Sequence, residues 1–224
     1  AAINPAVNNS PQDHFNTKLY TGNGSTNNIT GVGFQPDFVW IKSRSEAYWH
    51  RAFDVLRGAT KQLYPNDSAA EATESTSLTA FGSDGFTLGS FQYTNNNTTT
   101  FASWNWKAGG SGVSNTDGDI TSTVSANTDA GFSIVTWTGN STFDGVGHGL
   151  DEAPEFVIYK SRVGTGDWYV WTTAIDGTDD YLKLNGTQGA SASAPANSLT
   201  ATTITNWNYN SSQTPVAYCF HSVE

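Results

Sequence analysis

The chain has 224 residues, a formal net charge of −10 and only ten lysines and arginines, which are scattered along it. Nucleic-acid binding needs a basic patch and a membrane span needs about 20 consecutive apolar residues, so we expect no nucleic-acid partner and no membrane insertion. Charged residues make up 13% of the chain, whereas Gly, Asn, Ser and Thr separate aromatic and β-branched residues, and this composition predicts an all-β fold.

The first segment, residues 1–16, has little apolar content and is predicted to be an extended arm that packs against another surface. A short strand is predicted to begin at residues 18–20, and the Asn23-Gly24 pair after it indicates a tight turn. Methionine is absent from the chain, so we expect that the protein is processed or that its start lies outside these residues.

The segment at residues 36–44, Pro-Asp-Phe-Val-Trp-Ile-Lys-Ser-Arg, returns at residues 154–162 as Pro-Glu-Phe-Val-Ile-Tyr-Lys-Ser-Arg. Each residue lies 118 positions after its counterpart, which makes the chain a tandem repeat. Both copies carry bulky apolar side chains at successive positions, so both faces of the strand must be covered. We therefore expect a central strand in each copy, with the leading proline where the hydrogen-bonded ladder begins.

Further strands complete the first repeat. Short strands are predicted within residues 48–58 and at 61–64, and Asp54 and Arg57 are expected to pair. The hairpin signal is clearest at residues 78–90, because an Asp-Gly turn separates two apolar runs there.

A loop is predicted at residues 95–100, and the last strand of the first repeat at residues 101–107. In this last strand, Trp104 and Trp106 should share one face, because side chains alternate along a strand. The closing strand of the second repeat is predicted at residues 216–221, where each residue lies 114 positions after its counterpart.

The predicted architecture is two tandem antiparallel β-sandwich modules of concanavalin-like or jelly-roll type. They cover residues 17–109 and 131–224, and a Gly- and Ser-rich linker at 110–130 joins them. Ile120 and Val124 could add a hairpin to this linker. The single cysteine, which lies in the apolar closing strand, is expected to be a small buried hydrophobic residue.

Several stretches carry a resemblance to a known family: Tyr20–Gly24, Gly33–Lys42, Arg57–Lys61, Ser83–Gly89, Trp104–Gly110 and Val216–Glu224. They resemble a repeat found in structural proteins of tailed bacteriophages, notably marine ones. The resemblance implies a virion-associated, tail-fibre-like or concanavalin-like protein on the extracellular phage particle, and it brings no catalytic residue with it.

The expected function is therefore non-enzymatic. We expect a bacteriophage virion structural protein of the tail or capsid exterior, with other virion proteins as partners and a homo-oligomeric assembly. Host-surface polysaccharide is a further expected ligand. Three alternatives stay open: a capsid decoration protein with purely structural contacts, a secreted lectin of cellular origin, and a polysaccharide depolymerase on a jelly-roll scaffold.

Aromatic residues near polar loops are the candidate sugar-binding residues, because an aromatic face packs on the apolar C–H groups of a sugar ring. They are Tyr48, Trp49 and Tyr93 in the first repeat, and Trp168, Tyr169 and Trp207 in the second. The alternative reading places each of them in the core or in an interface.

Motifs for catalysis and metal binding are weak. Asp54, Glu71, Glu74 and Asp84 have no consistent counterparts in the second repeat, and the four histidines lack ligand spacing. The run from Asn115 to Asp119 looks like a shortened calcium loop, with Asp117 and Asp119 as ligands, but it equally describes a turn. We therefore expect no cofactor, with calcium at this loop as the alternative.

Overall fold

The computed structural model describes residues 10–178, 180–192, 198–205 and 213–223, and these residues form an all-β structure of antiparallel sheets. The strands are β1 (Phe15–Thr21), β2 (Asn27–Ile29), β3 (Phe38–Ser43), β4 (Arg51–Asp54), β5 (Lys61–Gln62), β6 (Ala72–Thr73), β7 (Leu78–Gly82), β8 (Gly85–Leu88), β9 (Thr100–Trp106), β10 (Val113–Asn115), β11 (Ser122–Asn127), β12 (Phe132–Thr136), β13 (Gly145–Gly147), β14 (Phe156–Ser161), β15 (Tyr169–Thr172), β16 (Asp180–Lys183), β17 (Ser191–Ala192), β18 (Thr203–Thr205) and β19 (Pro215–Phe220). Within the described residues, the helical elements are one short helix, α1 (Gln92–Asn95), and the 3₁₀ turns Pro11–Asp13 and Thr128–Ala130. None of the helices in these ranges could span a membrane.

The repeated segment forms a central strand in both places, as predicted. β3 lies between β9 and β4 in a four-stranded sheet of order β1-β9-β3-β4. β14 lies between β19 and β15 in an eight-stranded sheet of order β10-β11-β12-β19-β14-β15-β16-β17. The burial of both faces of β3 explains its central place in the sheet, since Phe38 on one face is 1% exposed and Val39 on the other is 0% exposed.

The two sheets share a register that follows the sequence offsets. Phe38 lies opposite Trp106 across β3 and β9, and Phe156 lies opposite Phe220 across β14 and β19. Phe156 is the counterpart of Phe38 at 118 positions, and Phe220 is the counterpart of Trp106 at 114 positions. Because a slip of one residue would turn every side chain to the other face, matching registers preserve matching faces.

The predicted hairpin is present, as β7 and β8 pair antiparallel and β2 extends them to a three-stranded sheet. This small sheet packs on the four-stranded sheet. Ile29 and Phe86 from the small sheet join Val39, Phe53 and Phe101 from the four-stranded sheet in one buried hydrophobic cluster. The first sheet pair therefore has its own core.

The segment predicted as a linker contributes two strands to the eight-stranded sheet. β10 and β11 form a hairpin in which Val113 lies opposite Val124, and β11 pairs along β12. Val124 and Ile120 are buried in a second hydrophobic cluster, together with Val157 and Cys219. Cys219 is fully buried, and burial raises the pKa of its thiol to about 12.

The start of the chain also differs from the predicted arm. Residues 10–16 already contain a 3₁₀ turn and the first two residues of β1, and Phe15 lies opposite Trp106 in the four-stranded sheet. The aromatic pair explains the earlier start, since the two ring centroids are 4.9 Å apart. Residues 1–9 of the predicted arm lie outside the described residues.

A third hydrophobic cluster, which we call the shared cluster, draws on both large sheets. Phe38 and Ala52 come from the four-stranded sheet, whereas Ile158, Trp168 and Tyr218 come from the eight-stranded sheet or its edge loop. The rings of Phe38 and Tyr218 stack with centroids 4.1 Å apart and an interplanar angle of 25°. The large sheets therefore bury one face of each against the other, which the sequence did not predict.

A buried ionic network lies beside the shared cluster and confirms the expected pairing of Asp54 with Arg57. The Arg57 Nε atom lies 2.5 Å from Asp54 Oδ2, and both side chains are fully buried. The Tyr218 hydroxyl donates to the same carboxylate oxygen at 2.7 Å. Glu71 links the buried Arg57 to the more exposed Arg162, because its carboxylate accepts from Arg57 at 3.2 Å and from Arg162 at 2.9 Å.

Lys160, at the end of the second repeated segment, is fully buried, and its ammonium donates to the carbonyl of Ser68 at 3.3 Å. Burial lowers the pKa of Lys160 from 10.5 to about 8, although Asp167 and Asp67 act in the opposite direction. Between pH 8 and 10.5 the unfolded chain therefore binds the proton that the folded chain has released, and stability rises with pH.

We expect the free energy of unfolding of the wild type to rise from pH 8 to 10.5 relative to that of Lys160→Met, and the difference to be constant below pH 8. Urea unfolding at several pH values measures both curves. Parallel curves across this range would show that the buried amine keeps an ordinary pKa.

Candidate functional site

The structure brings three of the six predicted aromatic side chains together. Tyr48, Trp49 and Tyr93, with Ala47 and Arg51, line an open cleft of about 290 Å³, which we call the aromatic cleft. The rings of Tyr48 and Tyr93 meet edge to face, with centroids 5.0 Å apart and an interplanar angle of 89°. Trp49 is 48% exposed, so much of its indole is open to solvent.

The loop between β3 and β4 carries Tyr48 and Trp49, and hydrogen bonds fix its start. Ser43 Oγ accepts from the backbone N–H of Glu46 at 3.0 Å. Lys42 Nζ donates to the carbonyls of Ser43 and Glu46 at 2.7 and 3.2 Å. The Lys-Ser pair at the end of the repeated segment thus turns the chain toward the cleft.

Tyr93 lies on α1, which the fully buried Asn95 anchors to the first repeat. The Asn95 amide donates to the carbonyls of Ser25 and Gly89 at 2.6 and 2.7 Å, and its carbonyl oxygen accepts from the backbone N–H of Asn23 at 3.0 Å. An asparagine can serve donors and acceptors at once, which suits a residue surrounded by backbone groups. One residue of the predicted polar loop therefore fixes a wall of the cleft.

Arg51, the first residue of β4, lies on the inner side of the cleft and is 5% exposed. Its guanidinium carbon lies 4.7 Å from the ring centroid of Tyr64 and 5.3 Å from that of Tyr93. Its Nη1 atom donates to the carbonyls of Trp49 and His50, both at 3.0 Å. The cleft therefore combines aromatic surfaces with one buried cation.

Two further aromatic candidates, Trp168 and Tyr169, do not line the cleft. Trp168 is 1% exposed within the shared cluster, and its Nε1 donates to the carbonyl of Tyr64 at 2.8 Å, so it is a core residue and not a stacking platform. Tyr169 is partly buried and stacks on Trp171, with centroids 5.5 Å apart. Trp207 lies outside the described residues.

A second aromatic surface was not predicted as a site. Trp40, His50, Trp104 and Trp106 line a depression of about 260 Å³ on the face of the four-stranded sheet, which we call the outer groove. Trp40 Nε1 donates to His50 Nδ1 at 2.8 Å, and burial lowers the pKa of this histidine, so the ring is neutral. The period-two spacing of Trp104 and Trp106 was the signal in the sequence.

The candidate calcium ligands make hydrogen bonds within the protein. Asp117 accepts from the side-chain amide of Asn115 at 2.7 Å and donates its backbone N–H to the same side chain at 3.0 Å. Asp119 accepts from the backbone N–H of Gly145 at 3.2 Å. In the described ranges, no group of three or more His, Cys, Asp and Glu side chains could hold a metal. The contacts describe an Asx-type turn.

The four carboxylates considered for catalysis also have partners. Asp54 and Glu71 accept from Arg57, and Glu74 accepts from the hydroxyl of a nearby threonine at 2.6 Å. Asp84 accepts two backbone N–H groups at 2.9 and 2.7 Å, and these hydrogen bonds lower the pKa of its carboxyl. Each of these carboxylates therefore has a hydrogen-bond partner within the fold.

These features define an all-β protein of antiparallel sheets with an open aromatic cleft beside the loop from β3 to β4. The family described as "Domain of unknown function (DUF7483)" matches residues 10–224, so the chain belongs to that family. No curated protein and no solved structure matches the chain.

Proposed function

We propose that the chain is a non-enzymatic structural protein of the bacteriophage virion that binds host-surface glycans through the aromatic cleft. The single observation behind the glycan binding is the convergence of Tyr48, Trp49 and Tyr93 on one open cleft. The proposed location is the exterior of the particle, on a tail fibre, another appendage or the capsid. The proposed partners are other virion proteins and further copies of this chain.

The chemistry of the cleft favours sugars. A pyranose ring has an apolar face of C–H groups, which packs on an aromatic ring, and hydroxyl groups at its edge, which need hydrogen-bond partners. The exposed indole of Trp49 offers the first, and the hydroxyl groups of Tyr48 and Tyr93 offer the second. The volume of about 290 Å³ suits one or two sugar units, since ligand pockets begin at about this size.

The proposed architecture is two tandem antiparallel β-sandwich modules of concanavalin-like or jelly-roll type. The first covers residues 17–109, and the second covers 131–224 together with the preceding strands β10 and β11, which belong to the same sheet. The matching registers of β3 with β9 and of β14 with β19 support it. Repetition on a virion raises avidity, because many weak sites act together when they are linked.

Replacing Trp49 by alanine should weaken glycan binding at least about fivefold, because a stacking aromatic face contributes about 1 kcal/mol beyond its buried area. A glycan array identifies the ligand, and titration calorimetry on the strongest hit measures the dissociation constant for each variant. Trp104→Ala, in the outer groove, is the matched control and should leave the affinity within about twofold of the wild type. The reverse result would move the site to the outer groove.

The same preparations separate the alternatives. A protein that binds empty capsids and no glycan on the array is a decoration protein with purely structural contacts. Release of reducing ends from host polysaccharide, abolished by alanine at one acidic residue, would identify a depolymerase. Either result would overturn the proposed function.

A further inference from the structure

Arg51 is a buried cation without a counter-ion in the part of the chain that the structure describes. Only 5% of its surface is exposed. Among the described residues, no carboxylate lies within 4.0 Å of its guanidinium, and its buried Nε atom makes no hydrogen bond. Buried charges in folded proteins are ordinarily paired, so this residue needs an explanation.

Arg57 shows what the same fold does with a structural arginine. It too is buried, but Asp54 and Glu71 both accept from it, and the Tyr218 hydroxyl lies at 3.4 Å. Charge is therefore balanced where arginine serves the fold alone. Arg51 instead donates to two carbonyl oxygens and lies over two aromatic rings, and these contacts orient the guanidinium without neutralising its charge.

The position of Arg51 indicates where an anionic ligand could bind. Its side chain lines the aromatic cleft beside Trp49 and Tyr93, so a ligand in the cleft would lie next to this residue. Burial lowers the pKa of Arg51, yet a guanidinium starts from 12.5 and stays protonated at neutral pH. The Tyr93 and Tyr64 rings hold it in place, which reduces the entropy lost when an oxyanion binds.

We infer that the aromatic cleft selects sugars that carry an oxyanion, a carboxylate or a sulfate, with Arg51 as the residue that recognises the charge. This inference rests on the proposed glycan-binding function and adds the class of ligand. In this arrangement Trp49 and the tyrosines pack against the sugar ring, and the guanidinium binds the oxyanion. The chain has a net charge of −10 and only ten lysines and arginines, so the inference assigns the recognition to one local cation.

The test compares matched probes in which the charged group is present or is masked or removed. Trigalacturonic acid and its fully methyl-esterified form are titrated into the wild-type protein, with a sulfated galactose trisaccharide and its desulfated form as the second pair. In at least one pair, we expect the charged probe to bind at least about tenfold more tightly, since a charge-assisted hydrogen bond contributes about 1.5–3 kcal/mol. The pair that responds tells carboxylate from sulfate.

Variants then locate the effect. Arg51→Met should bind the charged and neutral members of the responding pair with equal affinity, and Arg51→Lys should keep part of the preference. Thermal unfolding checks that each variant is folded, and the wild-type comparison stands even if Arg51→Met is not. Trp49→Ala should weaken both members of the pair equally, because stacking does not depend on charge.

The outcomes distinguish the selection of charged sugars by Arg51 from the proposed glycan binding on which it rests. Equal binding of charged and neutral probes by the wild type would overturn the role of Arg51 and leave glycan binding intact. A preference for charge that survives in folded Arg51→Met would overturn the inference as well. Failure to bind these probes and every glycan on an array of acidic and neutral sugars would overturn both.

Discussion

Asp54→Asn is expected to lower the free energy of unfolding by about 3–5 kcal/mol, which is the usual cost of removing one partner from a buried ion pair. The Asp54 carboxylate accepts from the backbone N–H and the Nε of Arg57 and from the Tyr218 hydroxyl, at 2.9, 2.5 and 2.7 Å. The asparagine has nearly the same shape, so the loss reflects charge and acceptor capacity. Urea unfolding at neutral pH measures it.

The matched control is Lys183→Met, which breaks the ion pair with Asp167. There the side chains are 29% and 32% exposed and 2.7 Å apart, so solvent screens the interaction. We expect a loss of less than about 1 kcal/mol. Equal losses in the two variants would contradict the view that Asp54 compensates a charge in the core.

The repeated segment was predictable because the information is local. An apolar side chain at successive positions requires cover on both faces, and only a central strand provides it. Within each repeated strand the offset between the two copies is constant, so equivalent residues occupy equivalent positions in the two sheets. Phe38 and Phe156, for example, both lie opposite an aromatic residue of the neighbouring strand. The hairpin at residues 78–90 was predictable for the same reason, since its turn residues are adjacent in sequence.

The shared cluster was not predictable in this way. Alternation tells which side chains share a face, but it does not tell what covers that face. Phe38 and Tyr218 lie 180 positions apart in sequence, and their stacking depends on how two whole sheets dock. The same limit applies to Trp49 and Trp168, which follow similar strands but are 48% and 1% exposed.

The aromatic cleft was predicted in part. Tyr48 and Trp49 are neighbours in one loop, so their proximity follows from the sequence, whereas Tyr93 meets them only through the anchoring of α1 by Asn95. Arg51 was missed as a site residue, because the absence of a counter-ion among the described residues is a property of the packed structure and leaves no mark in composition or spacing.

Trp168→Ala is expected to lower the free energy of unfolding by about 3–5 kcal/mol, as replacement of buried tryptophan by alanine does elsewhere. The indole is 1% exposed in the shared cluster, and its Nε1 donates to the Tyr64 carbonyl at 2.8 Å, so the change opens a cavity and frees a buried acceptor. Trp49→Ala, at an exposed position, should cost less than about 1 kcal/mol. The two substitutions delete the same atoms, so the difference between their free energies of unfolding, measured by urea unfolding, reports the effect of burial alone. Similar losses in the two variants would mean that the two large sheets do not pack through Trp168.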